Sequence, residues 1–298
     1  MAEPLAWVDG KLVNWCAAGL PLWDLGVVAG AAVTEAGRTY AGRFLWATAH
    51  IQRLCRSLQT LGFPLDWTEQ QLLDASESVI RANFAGIPAG SDLGVVLFST
   101  AGANATYLGH RNGTATTVIH TYPLPFRLWR TAFTQGATLR IPAVRQIPDD
   151  CFPVSLKVRN RLHWWLADRE AERLEPGSRA LLLTHAGLLS ETSTGCLFLV
   201  RGTRLLTPAA HVLESLSREV VEQLAGDLGL TVERCELRPT DLADIDEAFL
   251  SSSPSCLTPV RQIEGQPVGL ECPGPVFRRL LQAWSSRTNV NLEQQMLT

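Results

Sequence analysis

The sequence predicts an α/β (α+β) chain folded in two lobes, a smaller N-terminal one and a larger C-terminal one. Three observations predict it. The chain has 298 residues, more than one ordinary core holds. Hydrophobic residues make up 46% and charged residues 18%, which supports large cores and argues against disorder. Runs with the alternation of strands are interleaved with stretches carrying the helical period. The best divider is Tyr122-Pro-Leu-Pro-Phe126, because prolines neither continue a helix nor sit in a central strand. The expected organisation is a lobe over 1–121, a linker over 122–128 and a lobe over 129–298.

The opening reads as a hairpin, Leu5–Val8 and Leu12–Asn14, around Asp9-Gly10, a type I′ turn signal. Val33–Tyr40 follows as a strand. A helix is expected over 47–62, with Ile51, Leu54, Leu58 and Leu61 as its apolar stripe. Thr68 with Gln71 forms a capping-box signature for a second helix that fades near Phe84. The apolar runs 93–98 and 116–120 read as buried strands. Beyond the prolines, Cys151–Leu156 is expected to be extended and to lead into a helix over 158–173 with Val158, Leu162, Trp165 and Leu166 inward. Strands at 179–184 and 196–206 precede a helix over 216–228 stopped by Gly229. Strands near 230–236, 247–250 and 259–263 come next, then a last helix over 275–285. The polar tail from Ser286 is expected to be loosely ordered.

Composition excludes several functions. The net charge is −3 without a basic block, which argues against nucleic acid as a partner. No apolar run is long enough for a membrane span. The start, Met1-Ala-Glu-Pro, does not resemble a signal peptide. Seven scattered cysteines without a Cys-x-x-Cys pair point to free thiols in the cytoplasm and to no metal site.

Of 26 basic side chains, only Lys11 and Lys157 are lysines. Lys11 follows the first hairpin turn and is most simply solvated. A lysine amine condenses with a carbonyl once its pKa is lowered, whereas a guanidinium does not. Lys157 is therefore the residue to explain, and its expected position is a strand-to-helix junction in the second lobe. Glu191 is the one charged residue between Arg179 and Arg201. A carboxylate in such surroundings needs an arginine or a ligand. Ser215-Leu-Ser217-Arg218 opens a helix, either with an ordinary Ser cap or with amides offered to an anion. Phe249-Leu-Ser-Ser-Ser253-Pro-Ser255 is a small-residue loop that suits a phosphate or simply turns the chain.

Lysine, carboxylate, helix start and Ser loop occur in the order that resembles the class IV (fold type IV) pyridoxal-phosphate enzymes. These include branched-chain aminotransferases, D-amino acid aminotransferases and aminodeoxychorismate lyases. The resemblance runs from Trp7-Val8-Asp9-Gly10 to about Phe277. It continues through Asp24-Leu-Gly26 with Gly30, Glu35, Arg38 and Gly42, and through His50-Ile-Gln-Arg53-Leu. It then takes in Lys157-x-x-Asn160-Arg-Leu162, Gly187-Leu-Leu-Ser-Glu191, Thr207-Pro208, Leu216-Ser217-Arg218, Asp246-Glu247-Ala-Phe249 and Pro259-Val260.

The resemblance implies that Lys157 is the catalytic lysine holding pyridoxal 5′-phosphate and that Glu191 contacts the pyridine nitrogen. Arg53, Leu216, Ser217 and Ser253 would hold the phosphate. Thr34, Ala36 and Arg38, alternate residues on one strand face, would meet the substrate, with Arg38 the candidate for its carboxylate. It implies an aminotransferase working on an amino acid and a 2-oxo acid, branched-chain-like or D-amino-acid-like, and a homodimer. The Lys157-x-x-Asn-Arg-Leu stretch resembles the lyase members, so a lyase releasing pyruvate is the alternative. The chain departs from the family pattern at Ser215, Ser252 and Cys196, and Leu93–Phe98 lacks a substrate-reading Arg or Lys. These departures leave a catalytically impaired relative as a further alternative.

Overall fold

Asp9 and Gly10 both take positive φ, 44° and 89°, the conformation a type I′ turn requires and Gly adopts without strain. They join β1 (Leu5–Val8) to β2 (Lys11–Asn14). The computed structural model describes residues 3–110 and 114–298; Met1 and Ala2, on which the reading of the chain start partly rests, lie outside them. Two compact units emerge. The first takes Met1–Leu124 with Leu156–Asn160, the second Pro125–Ser155 with Arg161–Thr298.

The first unit continues with α1 (Leu25–Val28), β3 (Ala32–Arg38), α2 (Ala47–Leu61), α3 (Glu69–Phe84), β4 (Leu93–Thr100), α4 (Ala105–Leu108) and β5 (Thr117–Pro123). Its strands form one sheet in the order β2-β1-β5-β4-β3, with antiparallel β3–β4 and β4–β5 pairs. The capping box at Thr68 and Gln71 forms as expected. Ile51, Leu54 and Leu58 of α2 pack with Val33, Val95, Leu97 and Ile119 of the sheet. Gly37 is where α2 comes close: a Cβ there would lie 2.5 Å from Phe44 Cε2 and 3.0 Å from His50 Nε2.

Tyr122 and Pro123 end strand β5 rather than forming a linker, with Pro123 opposite Leu93. A proline is tolerated there because the ladder stops at that residue.

The second unit comprises α5 (Phe126–Gln135), β6 (Ala137–Arg140), α6 (Leu162–Leu174), β7 (Arg179–Leu183), β8 (Leu189–Thr192), β9 (Cys196–Arg201) and β10 (Arg204–Pro208). It goes on through α7 (Leu216–Asp227), β11 (Thr231–Cys235), β12 (Glu247–Ser252), β13 (Cys256–Ile263), β14 (Gln266–Pro267), α8 (Pro275–Thr288) and α9 (Leu292–Leu297). Its sheet runs β11-β10-β9-β12-β13-β6-β7-β8, with β14 on β13. Leu139, Leu181, Leu197, Leu199 and Leu250 lie in its core.

Three expectations are corrected. The helix after Lys157 begins at Leu162, not at 158, because residues 157–159 hydrogen-bond to β3 instead. Its inward face is Trp164, Ala167 and Ala171, which pack on Ala180 and Leu182. Leu162 and Trp165 stay 65% and 59% exposed. The expected stripe is out of phase: Trp164 with the small Ala167 and Ala171 faces the sheet, where Leu162, Trp165 and Leu166 were expected. The polar tail is ordered: α8 runs to Thr288, and α9 buries Leu292 and Met296.

Candidate functional site

Lys157 belongs to the first unit, not to the larger one that sequence order suggests. Val158 forms an antiparallel bridge with Val33. The Thr34 N–H donates to the Lys157 carbonyl and the Arg159 N–H donates to the Ala32 carbonyl, each at 2.8 Å. Residues 157–159 thus add to the outer edge of β3, and Lys157 stands opposite Thr34. A backbone pinned on both sides of one residue is a rigid base for a flexible side chain.

Behind β3 lies a buried charge cluster. Glu35 is fully buried. Its Oε1 accepts from Arg53 Nε at 2.7 Å, and its Oε2 accepts from Arg53 Nη2 at 2.6 Å. His50 Nδ1 lies 2.7 Å from the same Oε2. One turn of α2 separates His50 from Arg53, so both reach one carboxylate. Arg53 is not part of the apolar stripe of α2, yet it is buried, and Glu35 accounts for its burial.

Burial alone would raise the Glu35 carboxyl, but Arg53 and the His50 hydrogen bond outweigh it and hold the group at about 2. Burial pushes the His50 imidazole down despite Glu35, and Lys157 is near enough to add to the depression. Both shifts have the same consequence for stability. The unfolded His takes up a proton below its ordinary 6.5 and the unfolded Glu below 4.5, while the folded groups resist. The stabilisation is complete above the His value and is lost progressively as pH falls. We expect the urea midpoint to drop between about pH 7 and about pH 3, and Glu35→Gln to flatten the lower part of that curve. A midpoint that does not move on acidification would show that the cluster does not govern acid stability.

Thr34, Ala36 and Arg38 do share one face of β3, opposite to that of Glu35. Thr34 is tied down, its hydroxyl donating to the Leu97 carbonyl at 3.0 Å. Arg38 is 2% exposed, donates to the Thr39 carbonyl at 3.0 Å and to Asp92 Oδ2 at 3.5 Å, and lies over the Tyr40 ring. Asp92 also accepts from the Thr39 hydroxyl and from the Ala41 and Gly42 amides. This network explains Arg38 structurally. Asp92 had no signal in the sequence, because its partner is 54 residues away.

In the second unit, Glu191 lies on β8, largely buried, and accepts from the Leu213 N–H at 3.0 Å. Arg161 is nearby: burial lowers its pKa and the charge of Glu191 opposes that shift. The Arg161 guanidinium also donates to the Ser193 carbonyl. Three residues past Leu213, α7 begins. Its first backbone bond is made by the Glu219 N–H to the Ser215 carbonyl, so the Leu216 and Ser217 amides precede the helical ladder, as the first amides of any helix do. Ser217 Oγ lies 2.9 Å from Ser215 Oγ and 3.2 Å from Ser251 Oγ. This buried chain of hydroxyls joins the helix start to β12. Ser253 sits in the β12–β13 turn, which Ser252 closes by its 2.7 Å contact with Ser255 Oγ. Glu214, next to the cap, is exposed.

The structure thus collects Leu216, Ser217 and Ser251 at one helix start, with Ser253 on the adjoining turn. It joins Lys157 to Thr34, and Arg53 to Glu35 and His50. Ser251, Asp92 and Arg161 were missed. Within the second unit, amides and hydroxyls at a helix start suit a dianion and a buried carboxylate suits a protonated ring nitrogen; within the first unit, an amine suits an aldehyde. Among the described residues no group of His, Cys, Asp and Glu side chains is placed to hold a metal.

The sequence pattern of amino-transferase class IV matches residues 32–263. The chain belongs to the class IV aminotransferase family. It is a transaminase that works with pyridoxal 5′-phosphate. Among relatives, it is 27% identical over 296 residues to the branched-chain-amino-acid aminotransferase of Escherichia coli (strain K12), covering 93% of this chain and 91% of that one. A crystal structure of the Escherichia coli branched-chain amino acid aminotransferase superposes with a TM-score of 0.87 at 25% identity, covering 95% and 94% of the two chains. The branched-chain aminotransferase of the thermophilic archaeon Thermoproteus uzoniensis, solved with norvaline, gives 0.86 at 24% identity, covering 99% and 98%. The fold expectation, a two-unit fold type IV chain with mixed strands and helices, is met. No helix among the described residues is long and apolar enough to cross a membrane.

Proposed function

We propose that this transaminase moves the amino group of a branched-chain or similarly small aliphatic amino acid to a 2-oxo acid. The relatives' substrates support the choice of amino acid. The observation that carries the catalytic assignment is Lys157, one of two lysines in the chain, whose carbonyl accepts from the Thr34 N–H while Arg159, two residues on, donates to the Ala32 carbonyl. When bound, pyridoxal phosphate supplies an electron sink for the pair left at the substrate Cα.

The chain supplies the rest. Lys157 Nζ would hold the cofactor aldehyde, and the same amine would carry the proton at the substrate Cα. Glu191 would hold the proton on the ring nitrogen of the cofactor. The Leu216 and Ser217 amides and the Ser217 and Ser253 hydroxyls would hold the phosphate, and Arg53 would be its cation. Thr34 and Ala36 line the substrate side of β3, and the Arg38–Asp92 pair shapes its far end. The protein acts in the cytoplasm as a homodimer; none of its seven cysteines is in a disulfide, and the exposed Leu162, Trp165 and Leu166 on α6 suit burial by a second copy.

Borohydride reduction of the loaded protein followed by peptide mapping should label Lys157 and leave Lys11 unlabelled. A labelled Lys11, or no label at saturating cofactor, would remove the assignment. A donor amino acid alone should convert the bound cofactor to its amine form, and a 2-oxo acid should restore it. Pyruvate release from aminodeoxychorismate, with no spectral change on a broad amino-acid panel, would select the lyase reading instead.

A further inference from the structure

The sheet face that carries Lys157 holds a second cation. With Lys157 opposite Thr34 and Arg159 opposite Ala32, both side chains leave the edge on the face away from Val158. The same face continues across the sheet. Thr34 pairs with Phe98 and Ala36 with Val96; Phe98 pairs with Val118 and Val96 with His120. Arg159 is exposed, and its guanidinium carbon lies 4.7 Å from the centroid of the Phe98 ring. Such stacking fixes the guanidinium plane and leaves its donors directed along the edge of that plane.

On this face Lys11 lies at the opposite edge of the sheet, on β2, and the basic groups of β3 and β5 are enclosed. Arg38 is buried against Asp92. Burial, and then the charge of Arg159, lower the His120 pKa. Strand β4, with Leu93–Thr100, contributes no cation.

A substrate amino acid reacting at its Cα beside Lys157 carries its carboxylate one bond away. Resting on the transaminase reading, we propose that Arg159 receives the substrate α-carboxylate, in the place for which Arg38 was the expected residue. Arg159 therefore makes the enzyme selective for α-amino acids over simple primary amines. The planar guanidinium offers two parallel donors to the two oxygens, which an ammonium cannot match.

The test uses the loaded enzyme and its Arg159→Gln and Arg159→Lys variants. Steady-state kinetics are measured with L-leucine and with 3-methylbutylamine, which is leucine without its carboxylate. Binding of two unreactive ligands, 4-methylpentanoate and 4-methylpentanamide, is measured by calorimetry. For Arg159→Gln we expect KM for leucine and the Kd for 4-methylpentanoate to rise roughly 10- to 100-fold, the loss of one charge-assisted pair. The kcat, the amine KM and the amide Kd should change little, and Arg159→Lys should recover part of the loss. Unchanged leucine KM and 4-methylpentanoate Kd in Arg159→Gln, with active wild-type enzyme, would overturn this inference alone. A wild type that converts no amino acid would remove the transaminase reading and this inference together.

Discussion

Replacing Arg53 with Ala is expected to destabilise the protein by roughly 3–5 kcal/mol, the cost of leaving a buried carboxylate without its cation. Glu35 has no exposure, and Arg53 supplies two of its short hydrogen bonds. With Arg53 gone, His50 is the ionisable partner left to the carboxylate among the described residues, and burial opposes protonation of that imidazole. The remaining way out is for Glu35 to take up a proton in the folded state, so the variant should also lose stability most at neutral pH and least in acid. A loss of this size lowers the thermal midpoint by on the order of 10 °C.

The same substitution should weaken cofactor retention if Arg53 also grips the phosphate. The two effects separate in the double variant Arg53→Ala/Glu35→Gln. It removes the orphaned charge, so it should regain much of the stability but none of the phosphate grip. Equal midpoints for Arg53→Ala and wild type would show that the cluster is not coupled as its distances indicate. Full cofactor retention by the double variant through extensive dialysis would remove Arg53 from the phosphate site.

Glu191→Gln is expected to lower kcat by about 10²–10³, roughly 3–4 kcal/mol in the barrier, the scale of losing one preorganised electrostatic group. The fold should survive, because a Gln oxygen can still accept from the Leu213 N–H that now reaches Oε1. A neutral amide does not hold a proton on the pyridine nitrogen by charge. The loss should therefore fall on turnover, with cofactor affinity much less affected. Thermal unfolding of the cofactor-free protein provides the control: similar midpoints with unequal kcat mark an electrostatic role. An unchanged kcat would make Glu191 a structural partner of Arg161 and the Leu213 amide only.

Much of the fold was legible in the chain because its signals are local. The Asp9-Gly10 turn, the Thr68–Gln71 box and the α7 stop near Gly229 depend on residues two to four positions apart, and each appears where expected. The ordered set of motifs likewise identified the family, since spacing along the chain needs no contact map. The inward face of α6 was misread because periodicity marks large apolar residues, whereas this sheet accepts alanines. The strand β8 and the helices α5 and α9 were not assigned at all, being short or polar enough to depend on what they pack against.

Sequence by itself determined which residue types the chemistry has available: one amine outside the first hairpin, one carboxylate in an apolar stretch, one hydroxyl-rich helix start. Tertiary structure alone decided their partners. Residues 157–159 leave the second unit's part of the chain to complete the edge of β3, 125 residues earlier by number in the Val33–Val158 bridge. Arg53 and Arg38, both basic and both motif residues, take Glu35 and Asp92, 18 and 54 residues away. The physical reason is the cost of burying charge. A buried ion needs a counter-ion within hydrogen-bond reach, and which residue comes within reach is set by sheet register and helix packing. Neither is written in the neighbouring residues.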